Sequence, residues 1–221
     1  MMDVAFPHPV RVRTSVPSLT GLRYQPFTNI DGETFAVPAL NGFWKLDMSL
    51  IATDIRAQLA LSAFVTQMEA AGATCIVPVA VQARPNDDTG RMIRPNAAAP
   101  EYTFDHVGWD GAPFDGFKLR VAAAHRDSYL DINKPALSQL WPGHYITLDD
   151  RLYQVVKVSA IAESETAIRV SVMPNIRGAH TINKVVVVDQ LALKCKMESG
   201  DQIGASFEPV RFGNVSFVEA F

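Results

Sequence analysis

Cysteine is scarce in this chain, with Cys75 and Cys195 the only two among 221 residues. Two thiols cannot staple a scaffold, so the fold has to rest on a packed core. Both sit in apolar, strand-like runs and read as buried thiols, with a single bridge between them the minority alternative. An excess of one charge is missing as well. Lys and Arg number 20 against 23 Asp and Glu, for a formal net charge of -3, and no long block carries one sign. A phosphate backbone or an anionic membrane surface finds no footprint, so direct nucleic-acid binding is not expected. No apolar run approaches the ~20 residues of a membrane span. Residues 1–20 are interrupted by Pro7, Pro9 and Pro17 and hold no hydrophobic stretch of the kind that makes a secretory signal. The expectation is a protein that starts out in a cytoplasm and does not insert into membranes.

The marks of common catalytic chemistries are also absent. There is no Gly-x-Ser-x-Gly elbow, phosphate-binding glycine loop, dinucleotide fingerprint or His-Glu-x-x-His helix. His8, His106, His125, His144 and His180 lack the spacing that would converge two ligands on a metal. Gly178, Gly200 and Gly204 read as isolated turn glycines. The nearest approach to a site is Asp105-His106 with Trp109-Asp110, where a carboxylate beside an imidazole could fix one tautomer for proton transfer. Neighbours on a loop seldom face each other, so no enzyme activity, metal or cofactor is expected.

What the sequence does have is a hydrophobic content of 48% with 19% charged residues, enough apolar surface for a sizeable core, and abundant strand periodicity. In residues 43–51, Trp44, Leu46, Met48 and Leu50 alternate against Lys45, Asp47 and Ser49, the pattern of a half-buried strand. A helix is expected at 54–71, capped by Thr53 and ended by Gly72. Its apolar stripe is Leu61, Phe64, Val65 and Met68, extended backward by Ile55 and Leu59. Residues 75–81 are strand formers, with Pro78 placing them at a sheet edge or bulge. Further strands are expected at 117–121, at 145–148 and 152–158 around an Asp149-Asp150 turn, at 168–172, at 185–188 and at 191–197. Strands every 8 to 12 residues suit an antiparallel barrel or sandwich. The expected class is mainly β with one packed helix (α+β), with room for a smaller inserted or second β domain. The chain divides into 1–83 (arm, strands and helix), 84–116 (long loop or small insertion) and 117–221 (antiparallel region packed on the first).

Pro142-Gly143 opens the segment Leu140-Trp-Pro-Gly-His-Tyr-Ile-Thr-Leu-Asp-Asp-Arg-Leu-Tyr-Gln-Val155, which is followed by a strand over 166–172 and by Met173-Pro-Asn-Ile-Arg177. Ser18-Leu-Thr-Gly21, the Phe43-Trp44 strand and a helix running into Val77-Pro78 add to the pattern. In this spacing the chain resembles the minor and distal tail proteins of long-tailed (siphovirus-like) bacteriophages. The resemblance covers most of the chain through short, general motifs, and residues 84–116 have no counterpart in it. It implies a structural protein of the virion tail, assembled in the host cytoplasm. Such a protein is a homo-oligomer, typically a ring of six at the tail tip or baseplate, joining the tube to hub and receptor-binding proteins. A connector or completion ring is the neighbouring alternative, and no catalytic residue is implied.

A ring needs side-to-side contacts, and protruding arms and loops can supply them. The candidate inter-subunit residues are Pro7, Arg11 and Arg13 on the Pro-rich arm, and Met92, Ile93, Tyr102, Phe104 and Phe114 on the 84–116 loop. Two other classes remain open. A carbohydrate-binding β module would show an exposed aromatic platform, for which Trp109, Trp141 and Tyr145 are the candidates. A hydrolase would bring titratable groups together only in three dimensions.

Overall fold

The computed structural model describes residues 2–8, 10–22, 27–28, 30–35, 42–93, 109, 111–162, 164–200 and 210–221. The chain is mainly β, with a single helix among these residues. Its first sheet has six strands: β1 (Met2–Asp3), β6 (Ala73–Pro78), β12 (Ala192–Gly200), β13 (Arg211–Glu219), β5 (Phe43–Ala52) and β2 (Arg11–Thr20), in that spatial order. Only the β1–β6 pair is parallel. The second sheet has the order β7 (Lys118–Leu119), β8 (Tyr129–Asn133), β11 (Ala167–Met173), β10 (Arg151–Ala160) and β9 (Tyr145–Leu148). A two-residue pair, β3 (Phe27–Thr28) with β4 (Thr34–Phe35), stands apart.

The second sheet closes on itself. The segment 184–188 bonds to β7 on one side, where the Leu119 N–H donates to Lys184 O at 2.9 Å. On the other side it bonds to β9, where Thr147 and Val187 exchange both backbone bonds at 2.8 and 3.0 Å. The two edges are thereby joined, leaving a small barrel filled by Phe117, Leu119, Leu130, Ile132, Ile146, Leu148, Tyr153 and Val170. The β9–β10 hairpin turns at Asp149 and Asp150, with φ of 47° and 57°. Two successive left-handed residues match the twist of the strands they connect.

The helix α1 (Ile55–Met68) packs on β5, β6 and β12. Its cap is Asp54, whose Oδ1 accepts the Ala57 N–H at 2.7 Å, rather than Thr53. The helix stops at Met68, short of 71, and Gly72 at φ +78° turns the chain into β6. The buried stripe of Leu61, Phe64, Val65 and Met68 extends backward through Ala57 and Gln58. Ile55 and Leu59, expected on that stripe, are 68% and 55% exposed. Leu59 lies two residues, about 200°, from Leu61 and so falls on the opposite face.

β5 follows its expected alternation, with Trp44, Leu46, Met48, Leu50 and Ala52 buried. Each fully enclosed leucine contributes about 2 kcal/mol. Strands β2, β8 and β13 were not foreseen as strands. Val121 is exposed, because β7 ends at Leu119. Residues 185–188 bond as the barrel closure rather than forming a strand of their own. β12 and β13 leave the barrel region and complete the sheet begun by the first eighty residues. Cys75 and Cys195 face each other in register across β6 and β12 as free, buried thiols, with burial pushing Cys75 up to about 12.

Sheet and barrel meet at Trp44. Its indole Nε1–H donates to Leu152 O at 2.6 Å, its ring meets Tyr145 edge-on at 5.7 Å, and Leu152 lies in the core of the six-stranded sheet. Trp44→Phe keeps the apolar body but leaves the buried Leu152 carbonyl without its donor. The expected loss is about 2 kcal/mol in urea unfolding. A variant within about 0.5 kcal/mol of wild type contradicts this role.

Candidate functional site

The most highly organised polar cluster lies at the same joint. Glu219, the last residue of β13, has a side chain with no exposure. One carboxylate oxygen accepts the Trp44 N–H at 3.2 Å, and the other lies 3.5 Å from Arg151 Nη1 and 3.7 Å from Arg177 Nε. Arg151 also donates to Ala220 O and Arg177 to Gly42 O, which ties β10 and the 174–178 turn to the sheet. Both guanidinium groups stand over the Phe221 ring, at 5.9 and 4.6 Å from its centroid. The Tyr153 hydroxyl accepts the Arg177 N–H at 3.0 Å, and burial pushes its phenol up to about 12. These groups fix geometry.

A second cluster joins residues far apart in sequence. His180 Nδ1 lies 3.1 Å from Asp149 Oδ2, and Lys184 Nζ lies 2.5 Å from Asp149 Oδ1. Burial works against the Asp149 charge, but Lys184 and His180 outweigh it and hold the carboxyl below its ordinary value. Asp150 moves the other way, raised by burial and by Asp149. Both aspartates line a cleft of about 590 Å³ between barrel and sheet, together with Trp109, Thr147, Lys184 and Gln190. His180 is not in a position to act on anything bound there. Its Nδ1 is engaged by Asp149, and its Nε2 is enclosed beside Gly178 without a partner. The pair anchors the 180 turn to the β9–β10 hairpin. Among the described residues no group of three or more His, Cys, Asp or Glu side chains is placed to hold a metal.

Among known proteins, no family model matches the chain and no curated sequence matches it. Its function therefore has to be read from its own surfaces.

The expected site residues separate. Asp105, His106 and Asp110 lie outside the described residues, as do Tyr102 and Phe104. His8 and His125 are exposed, His144 is half-buried, and none of these three has a carboxylate partner among the ion pairs. The anticipated arm is docked: Pro7 is buried beside Phe6, and residues 11–20 are strand β2. Arg11 and Arg13 are exposed on that strand, with Arg13 over the Phe212 ring at 5.3 Å. Met92 is 39% exposed at the end of a tight turn in which the Asp87 carboxylate accepts the Thr89 and Arg91 N–H groups. Ile93 is buried in the barrel cluster, and Phe114 is half-buried against Phe117 at 6.0 Å.

Of the proposed aromatic platform, Trp109 is half-buried with its indole N–H donated to Leu191 O at 3.1 Å, and Tyr145 packs on Trp44. Trp141 alone of the three stands out, at 57% exposed. Unanticipated exposed apolar residues lie on the outer face of the six-stranded sheet, where Val16 is 59% and Phe212 56% exposed. The sequence signal for them is an apolar residue on the polar phase of a strand.

The Glu219 site sets a pH dependence. Burial raises its carboxyl, and Arg177, the Trp44 amide and Arg151 lower it only in part. The folded chain thus holds a proton there at pH values where the unfolded chain, near about 4.3, has released it. This contribution is greatest at acid pH and falls as pH rises from that value through the raised one. Glu219→Gln does not titrate, so its stability relative to wild type should increase over that window in denaturation experiments. A difference that stays constant with pH contradicts the buried, raised carboxyl.

Proposed function

We propose that the chain is a structural subunit of a bacteriophage virion, a tail-tip ring protein that joins the tail tube to hub and receptor-binding proteins. The observation that carries this reading is strand β2. It is ten residues long and, among the described residues, pairs with β5 alone. A long edge strand presents unpaired N–H and C=O groups and is a template for another chain. Val16 lies on this edge strand and Phe212 two strands away, both on the same outer face, so an apolar contact can accompany the backbone contact. A ring requires each subunit to present two different surfaces related by a closing rotation. The β2 edge supplies one of them. The resemblance to distal tail proteins, carried by the β9–β10 hairpin, the following strand and the Pro174–Arg177 turn, supports the same reading.

The full chain is expected to give a six-copy species by native mass spectrometry. Val16→Asp with Phe212→Ser, both outside the core, should leave the thermal midpoint unchanged and reduce the species to monomer. A wild type that is monomeric at every concentration, or a double variant that keeps the ring, contradicts the proposal.

A further inference from the structure

The barrel has an open strand edge of its own, beside the exposed indole. β9 ends its pairing with β10 at Gln154, and the Val155 N–H and C=O are taken by His144 O and the Gly143 N–H at 2.8 and 2.7 Å. Beyond a bulge at Val156, β10 runs on to Ala160 with β11 as its one strand neighbour among the described residues. The Ile161 N–H donates to Ala167 O at 3.3 Å, so the odd-numbered residues of this stretch face β11. The N–H and C=O groups of Val158 and Ala160 therefore point the other way, to an edge with no strand on it. Val158 also lines a groove of about 330 Å³ with Trp141, Pro142 and Ile168, and Trp141 is 57% exposed.

The same alternation shows what β2 offers. The Trp44 N–H is directed to Glu219 on the β13 side of β5, so Phe43, Lys45 and Asp47 turn their backbone groups to Thr20, Ser18 and Val16 of β2. Ser15, Pro17 and Leu19 are left facing outward. Pro17 thus stands where its missing N–H takes no bond from β5. Charge then sets a direction. In its ten residues β2 carries Arg11 and Arg13 and no acidic side chain, and neither arginine has a carboxylate partner among the described residues. On the barrel edge Lys157 is exposed at one end and Glu165 at the other, in the turn to β11. A strand laid antiparallel on β10 brings Arg11 and Arg13 to the Glu165 end and the uncharged 17–20 end to Lys157. A parallel strand would set the arginines against the lysine.

We propose that the β2 edge of one copy of the chain adds antiparallel to the 158–160 edge of the next, with Ser15 opposite Ala160 and Pro17 opposite Val158. The inference rests on the ring reading and names the second surface that the ring contact uses. Two open edges of complementary charge on one chain are satisfied together by further copies of that chain. In this register Ser15 and Ala160 exchange both backbone bonds, and the Val158 N–H donates to Pro17 O. Directly opposed side chains share a side of the sheet, so Pro17 is brought beside Val158 to the groove, where its ring can cover the Trp141 indole. The contact is heterologous, because the two edges belong to different sheets, and it repeats from copy to copy.

The test is cysteine cross-linking of the full chain. Val16 and Ser159 fall opposite each other at a non-hydrogen-bonded position, where Cα atoms lie about 4.5 Å apart and a disulfide fits. The native thiols Cys75 and Cys195 are buried and stay out of the reaction. Oxidised with copper phenanthroline, the Val16→Cys/Ser159→Cys variant should give a ladder of covalent oligomers on a non-reducing gel. Val16→Cys/Ile182→Cys, with Ile182 exposed on a different part of the barrel, should stay monomeric. Ala160→Pro removes only the open-edge N–H, so it should keep the thermal midpoint and weaken assembly roughly ten-fold by native mass spectrometry. If that variant fails to fold, the cross-link alone decides. A ring that yields no ladder, or an equal ladder with Ile182, overturns this contact and leaves the ring standing. A folded Ala160→Pro that assembles as well as wild type does the same. A wild type that is monomeric at every concentration overturns the contact and the ring reading together.

Discussion

A single enclosed carboxylate holds the two halves of this molecule in register. Glu219 ends β13 on the sheet's inner face, while Arg151 and Arg177 come from the barrel. Removing such a charge from water is costly, and the cost is recovered only where opposite charges and backbone donors converge. The Trp44 amide and the two guanidinium groups provide that convergence, and the carbonyls of Ala220 and Gly42 hold the guanidinium groups in place by accepting from them. Because these groups belong to the β5 start, the β10 start, the 174–178 turn and the C-terminus, the carboxylate can be satisfied only when sheet and barrel are docked. The Trp44–Leu152 bond and the Trp44–Tyr145 packing reinforce the same docking with apolar contact.

This joint explains why some of the fold was legible in the sequence and some was not. β5 announces itself because its inward residues, Trp44 to Ala52, are all apolar and its outward ones mostly polar. The β9–β10 hairpin is legible because two aspartates tolerate the left-handed turn. β13 carries the same period, but its inward positions are Gly213, Val215, Phe217 and Glu219. A glycine and a glutamate mask the alternation, and the burial of the glutamate depends on arginines 42 and 68 positions away in sequence. In β2 a bulge between Val12 and Thr14 shifts the phase, and Pro17 reads as a breaker although it lies on an edge strand. β8 offers only Leu130 and Ile132 as inward residues, too short a pattern to recognise.

The polar sites were less legible than the strands, for a related reason. His180 and Asp149 are 31 positions apart and meet only because the 180 turn folds onto the hairpin. The three candidate aromatics differ in exposure: Trp109 and Tyr145 are drawn into packing, leaving Trp141 on its turn. Composition cannot distinguish a tryptophan that closes a core from one that faces water. The long edge strand β2, left with one neighbour among the described residues, is the surface that the proposed assembly role would use.

If the buried Glu219 joint governs the architecture, sheet and barrel cannot unfold separately. Native-state hydrogen exchange read strand by strand is the most direct test. The amides of β5 and β13 in the sheet and of β10 and β11 in the barrel should exchange through one global opening, with a common free energy and a common denaturant dependence. Barrel amides that exchange through a separate, lower-energy opening while the sheet stays protected would contradict the account.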